Sequence, residues 1–451
     1  MSLEHDETTR RPRGLQLVAC AVALSAFAVL GGPPLAAEWP VAGVTATLQT
    51  PLLTEADADA DADDPAIYID AGDPARSLVV TAVKNGGIRV YGLDGKLIQS
   101  VLPIEDSRIN NVDVVYDFAL AGGGKADLVI AADRGLDIIR VYAIDASAAM
   151  PLTEITDPAG LRAFPQRPTA EGGGTEDNPV DDQATVYGLA AWRDDAGGKT
   201  WVVGTQRHQP VVGVFTLEAR AGGKVAAVFD HDFRAPTVHM GQDLWQESEE
   251  DALLDFSPQF EGVVIDRTSG IVYAGQEDVG IWKVPVTGGE PALVYQTRGS
   301  SSSSFFNADS VITRDVEGLS IYYAATGTKY LLASSQGGAH GEAPTFADPP
   351  YDDSFAVFSI GDGLDLLGAF RVEHGGGIDA VQESDGDDVT SVALPGFPNG
   401  VFITQDGYGG DLNNLDGEVA STNFKFVDWA SIAATFNPPL EVTPSGWNPR
   451  H

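Results

Sequence analysis

Residues 66–96 read AIYIDAGDPARSLVVTAVKNGGIRVYGLDGK, and this stretch sets the architecture. Ala66–Asp70, Leu78–Val83 and Gly87–Tyr91 are short runs rich in β-branched and aromatic residues. Leu93-Asp94-Gly95-Lys96 supplies a hairpin turn of the Asp-Gly type. The unit recurs along the chain. Val112–Tyr116, Asp127–Ala132 and Ile138–Ile144 form a second set, and Val186–Trp192, Trp201–Thr205 and Val211–Leu217 a third. Gly262–Ile265, Ile271–Ala274 and Gly280–Val284 follow, then Leu319–Ala324, Tyr330–Ser335 and Phe355–Ile360. Several runs carry an aromatic near their end (Tyr91, Tyr142, Phe215, Trp282, Phe358), which marks a rough repeat of four-stranded units. An all-β propeller of about six blades closes so many short antiparallel strands without exposed edges. Polar stretches at 165–183, 231–255, 298–309 and 337–353 read as surface loops, since strand patterning resumes after each.

Just upstream, residues 57–68 read DADADADDPAIY. Alternation puts Asp57, Asp59, Asp61 and Asp63 on one side of an extended chain and turns Asp64 the other way. Such a density of hard oxygen ligands suits calcium, and a solvated acidic linker is the alternative. An EF-hand fits poorly: Asp57, Asp59 and Asp61 have its opening spacing, but Ala62 stands where the loop needs glycine and Tyr68 where it needs a bidentate glutamate.

Composition narrows the partners. The 451 residues carry a formal net charge of −38, with 51 glycines and 27 prolines. Phosphate backbones and anionic membranes are repelled, and cations attracted. Residues 1–37 read as an export signal, with Arg10, Arg11 and Arg13, an apolar run from Leu15 to Leu30 and a Leu35-Ala36-Ala37 cleavage site. The expected domains are therefore the signal at 1–37 and one propeller at 38–451, secreted or periplasmic. Cys20 is the single cysteine and leaves with the signal. Leu17-Val18-Ala19-Cys20 also matches a lipoprotein box, a second fate for the same segment.

Carboxylates recur at strand ends: Asp113, Glu261, Glu277-Asp278, Asp315, Glu317, Asp379, Asp385, Asp387 and Asp388. In a propeller such ends converge on one face, where gathered acids need a metal among them. Lys84, Arg134 and Arg207 stand at the same kind of position, with Tyr187 and His208 as further donors. Either these cations form ordinary ion pairs, or calcium neutralises the acids and leaves them to hold an anion. A site of that second kind takes a highly phosphorylated substrate. Covalent phosphatase chemistry has no carrier: the mature chain has no thiolate, no Gly-x-Ser-x-Gly elbow and no Lys-Ser/Thr phosphate loop. Metal-assisted attack by water remains.

Three segments then carry a resemblance. Asp63-Asp64-Pro65-Ala66-Ile67-Tyr68, Asn110 to Tyr116, and Asp315-Val316-Glu317-Gly318-Leu319 followed by Tyr330 to Gly337 resemble the β-propeller phytases, from about Asp57 to Ala433. The resemblance implies a six-bladed, calcium-dependent enzyme acting on phytate, as a monomer, with several calcium ions. It implies catalytic roles for Glu261, Glu277, Asp315, Glu317 and Gln336. Metal ligands would be Asp63, Asp64, Glu261, Glu277, Asp315, Glu317, Gln336, Asp379 and Asp385, and Lys84, Arg134 and Tyr187 would bind substrate phosphate; Arg207, a strand-end cation read from the sequence itself, joins them as a candidate. The chain departs from the family in several places: Asn85 stands where a second lysine is frequent, Val115 where an arginine is, Arg207-His208 where a Lys-Glu pair is usual, and residues 338–352 form an acidic insertion. With those cations gone, a non-catalytic calcium-dependent propeller binding phosphorylated or acidic ligands is the competing expectation. A sugar dehydrogenase or lactonase propeller shares only the architecture. Within the acidic stretch, Asp63 and Asp64 are expected to hold calcium, and Asp57, Asp59 and Asp61 to form a mobile lead-in.

Overall fold

The computed structural model describes residues 39–54, 59–159, 162–164, 184–243, 259–299, 305–313, 315–336, 351–409, 421–442 and 449–450. The signal segment, Cys20 and Asp57 lie outside these residues, as do the expected loops at 165–183, 244–255, 300–304 and 337–350.

Six sheets of four or five strands, antiparallel except for one added strand, stand in a ring. The first strands of the blades are Pro65–Tyr68, Ile109–Ala119, Val186–Asp194, Phe260–Asp266, Leu319–Tyr323 and Asp387–Thr390, and each contacts the next in circular order, the last returning to the first. Blade 1 continues through Leu78–Ala82, Ile88–Gly92 and Leu97–Val101, and blades 2 to 4 repeat that meander. Middle strands lie between two neighbouring blades, so both faces are covered and alternation gives way to continuous apolar runs; Leu78–Ala82 is buried at every residue. The three-strand sets read from sequence all fall on strands of blades 1 to 5.

Blade 6 has no complete set in continuous sequence. Asp387–Thr390, Val401–Asp406 and Asn423–Asp428 come from the C-terminal end, and Leu48–Gln49 completes the sheet by pairing antiparallel with Asn423–Asp428. Val41–Thr45 adds a parallel fifth strand to blade 5. The ring is thus closed by residues from both ends of the domain, which removes the open edge. One expected loop is corrected: His231–Arg234 belongs to the strand Lys224–Arg234, which pairs along Val211–Arg220.

Candidate active site

Side chains reach one rim from two kinds of place in a blade, at or just before the start of its innermost strand and just past the end of the second strand, which runs antiparallel and finishes at the same edge. Blade 1 places Asp63 and Lys84 there, blade 3 Tyr187 and Arg207, blade 4 Glu261 and Glu277, and blade 5 Glu317 and Gln336 beside Asp315. Blade 2 adds Arg134, and blade 6 adds Asp385. Together with Arg108 and Gln259 they line one cleft of about 330 Å³. Charge is unevenly divided across it. Lys84, Arg108, Arg134 and Arg207 come from blades 1 to 3, whereas Glu261, Glu277, Asp315, Glu317 and Asp385 come from blades 4 to 6, with Asp63 of blade 1 the one acid of the lining on the cationic side.

Glycine brings these strand starts together. Tyr187, Glu261, Glu317 and Asp385 are each followed by one. A Cβ at Gly188 would lie 1.8 Å from the Glu261 carbonyl oxygen, and one at Gly262 would lie 2.3 Å from that of Glu317. Neighbouring backbones approach to a distance that no larger residue permits. In blades 2, 3 and 4 the ladder also slips just after the first residue, between Ile109 and Val112, Val186 and Leu189, and Phe260 and Val263. Asn110, Tyr187 and Glu261 occupy those irregularities, where a bulge re-aims side chains toward the cleft.

Glu261, Glu277 and Glu317 each offer a carboxylate oxygen within 4.8 Å of the other two. Asn110 Nδ2 donates to Glu261 Oε1 at 2.9 Å, while Glu261 Oε2 is buried with no hydrogen-bond partner. Burial, then the charges of Glu261 and its neighbours, push the Glu317 carboxyl well above its ordinary range. Asp63 is raised in the same way by burial, with Asp385 and Glu261 adding to it against the pull of Lys84. Hard oxygens crowded at this spacing, one of them unsatisfied, fit a divalent cation.

On the other side, Lys84 Nζ stands 3.0 Å from Asp61 and Asp385 and 3.7 Å from Asp63. Arg134 donates to Asn110 Oδ1 at 2.9 Å, so that one amide ties the cationic half to the acidic half. The guanidinium carbons of Arg134 and Arg207 lie 5.3 and 5.8 Å from the centre of the Tyr187 ring, so one aromatic ring attracts both cations. Burial, followed by Glu261 and Glu317, pushes the Tyr187 hydroxyl well up, so it stays protonated as a donor.

Most of the expected site residues converge, and two go elsewhere. Asp64 turns away from Asp63 into the central channel, where it accepts from the Val112 amide at 3.1 Å and shares the walls with Asp113, Asp387 and Asp388. Asp379 accepts from fully buried Lys425 at 2.9 Å. His208 is exposed. Asp61, expected in a mobile lead-in, is tied to Lys84. Sequence reasoning missed Arg108, which carries no motif, and the bridging role of Asn110, which lies in a segment already singled out.

The phytase family model matches residues 15–162 and 252–451, so blade 3, with Tyr187 and Arg207, lies between the matched segments. A 3-phytase of Bacillus subtilis (strain 168) is 32% identical over 383 residues, covering 82% of this chain and 80% of that protein. Solved structures resemble it only loosely. The β-propeller domain of Cps50 (Swd1) from Myceliophteria thermophila gives a TM-score of 0.38 at 9% identity, over 81% of this chain and 82% of that one. A structural genomics protein of unknown function from Bacteroides thetaiotaomicron gives 0.40 at 12%, over 86% of this chain and 74% of that one. Family match and relative agree over most of the chain, and a six-bladed ring presents a cleft with cations facing carboxylates: the chain belongs to the phytase family.

Proposed function

We propose that this phytase is an exported, calcium-dependent 3-phytase that removes phosphate from myo-inositol hexakisphosphate presented as its calcium salt. The observation that carries this reading is the division of one cleft into a cationic and an acidic half. Lys84, Arg134 and Arg207 bind phosphate oxygens, the arginines by paired N–H donors, and Tyr187 adds its O–H. Glu261, Glu277 and Glu317 would hold calcium with Asp63, Asp315, Gln336 and Asp385, and the unpartnered Glu261 Oε2 supports that assignment. Calcium there would neutralise charge and make water a competent nucleophile toward phosphorus. Asp63 and Glu317 then give up protons to bind it. Asp64 faces a separate acidic group in the channel and is a candidate ligand there, whereas Asp379 already has a cation in Lys425.

Residues 1–37 are read as the leader and 38–451 as a single monomeric domain, with neither nucleic acid nor membrane as partner. Among the described residues no helix is long and apolar enough to cross a membrane. The test is phosphate release from phytate by purified protein in calcium and in chelator, with the first product identified by NMR. Full rate in chelator overturns the calcium assignment, first cleavage elsewhere than the 3-phosphate overturns the regiochemistry, and N-terminal sequencing of exported protein checks the leader.

A further inference from the structure

We propose that Asp61 is an internal competitor for Lys84: its carboxylate occupies the ammonium until a substrate phosphate displaces it, and so lowers the affinity of the cleft for phosphate. The inference rests on the reading of Lys84 as a phosphate-binding residue. It gives a task to the acidic stretch ahead of Asp63, which that reading leaves without one.

Both partners are held by their main chains. Ala60 bridges Lys84 in antiparallel register, and the Asp61 amide donates to the Val83 carbonyl at 3.4 Å. The Ala62 amide donates to Thr422 Oγ1 at 2.7 Å. A Cβ at Gly86 would meet that of Ala60 at 2.5 Å, so the turn after Lys84 lies directly on this segment. Lys84 itself has a left-handed backbone, with a φ of 43°, a conformation that a lysine keeps only where its surroundings impose it. Its carbonyl accepts from the Gly87 and Ile109 amides at 3.1 and 3.2 Å. The ammonium therefore projects from a rigid corner, and Asp61 is carried beside it by the backbone.

An ammonium has three N–H donors. Asp61 and Asp385 stand 3.0 Å from Nζ, and Asp63 stands 3.7 Å away. These three carboxylates differ in freedom. The side chains of Asp63 and Asp385 are 3% and 14% exposed and belong to the proposed metal ligands, whereas that of Asp61 is 42% exposed. Asp61 can turn into water without leaving a buried charge behind, so it is the partner that a phosphate can replace. A phosphate monoester brings a charge of about −1.5 to −2 and three acceptor oxygens against one carboxylate, which favours the exchange. Breaking the Asp61 contact is nonetheless subtracted from every binding event.

The test is calorimetric binding of myo-inositol hexasulfate and of orthophosphate to the parent protein, Asp61→Asn, Lys84→Gln and the double variant, at one calcium concentration, with phytate kinetics alongside. Asp61→Asn is expected to bind both anions about fivefold tighter and to lower KM for phytate by a similar factor, a gain that misfolding cannot produce. In the Lys84→Gln background the same substitution changes anion affinity by less than about twofold, since the competitor has nothing left to hold. Calcium affinity, titrated without anion, stays within about twofold of the parent value. Weaker anion binding in Asp61→Asn would make Asp61 a support for Lys84, an equal gain without Lys84 would make it a diffuse charge, and a large loss of calcium affinity would make it a ligand; each overturns the proposal, as does unchanged anion affinity. Lys84→Gln with unaltered anion affinity overturns the reading of Lys84 beneath it. Should the parent protein release nothing from phytate, the substrate reading fails by itself, and the anion titrations still decide on Asp61.

Discussion

Glu317→Gln is expected to change the stability of the protein in opposite directions with and without calcium. Two carboxylate charges within 4.8 Å of each other repel by at least ~3.5 kcal/mol at an effective dielectric constant of about 20. Glu317 faces two such partners, and without a cation the fold avoids the repulsion by keeping the Glu317 proton. Its folded pKa lies well above the ordinary 4.5, so the folded state binds a proton that the unfolded chain releases, and stability falls as pH rises past 4.5. Glutamine keeps the shape without that requirement. The variant is therefore more stable than the parent protein in chelator at pH 8, where that proton-linked cost falls on the glutamate alone. With calcium the same change removes a ligand, and affinity falls by at least the roughly 10–100-fold that disturbing a ligand's surroundings costs. Denaturant midpoints followed by tryptophan fluorescence, in chelator and in calcium at pH 5 and pH 8, check this. The variant should exceed the parent protein in chelator at pH 8, match it more closely at pH 5, and fall below it in calcium. A change of the same sign in both media refutes the metal assignment and the electrostatic argument together.

Chelated protein should lose stability as pH rises from about 4 to 8, because burial raises Glu383 and Asp387 to about 8, Asp388 to about 7 and Asp385 to about 6. A midpoint that is flat or climbs over that window contradicts this. Gly262→Ala places a Cβ 2.3 Å from the Glu317 carbonyl oxygen, so the two inner strands must separate; a loss of about 2–4 kcal/mol with most of the activity is expected by calorimetry and phosphate release. Lys425→Met strands Asp379 and Asp406 in the interior and should cost about 3–5 kcal/mol. Unfolding at the parent temperature would show that the pair is dispensable.

How much of this was legible in the sequence follows from the distance over which each signal acts. A strand such as Leu78–Ala82 is encoded in consecutive apolar residues, and an Asp-Gly turn in two, so blades 1 to 5 could be read locally. Asp63 and Asp64 pointing in opposite directions follows from strand periodicity, and the structure separates them into cleft and channel as that rule requires. Leu48–Gln49 is a two-residue strand without periodicity, and only its pairing with Asn423–Asp428 gives it meaning. The Asp379–Lys425 contact likewise joins residues 46 apart, and no spacing rule announces it. Arg108 sits in a turn that is ordered by Asp133 and Gly135, neither of which marks it from a distance.

The site also depends on where the ring is sealed. Asp63 opens blade 1 and Asp385 precedes blade 6, yet both approach Lys84, and the Gly386 amide donates to the Asp63 carbonyl at 3.1 Å across that junction. These two blades become neighbours only when the ring closes. Blade 6 is completed by the N-terminal strand, and Gln49 within it accepts from Lys425 at 3.2 Å, the same lysine that neutralises Asp379 and Asp406. The closing strand therefore reaches the buried charges that support the Asp385 side of the cleft. Loss of that strand should separate Asp63 from Asp385 before the apolar cores of blades 2 to 4 are touched, so the Asp63–Lys84–Asp385 corner of the cleft depends on ring closure, whereas the three glutamates of blades 4 and 5 do not.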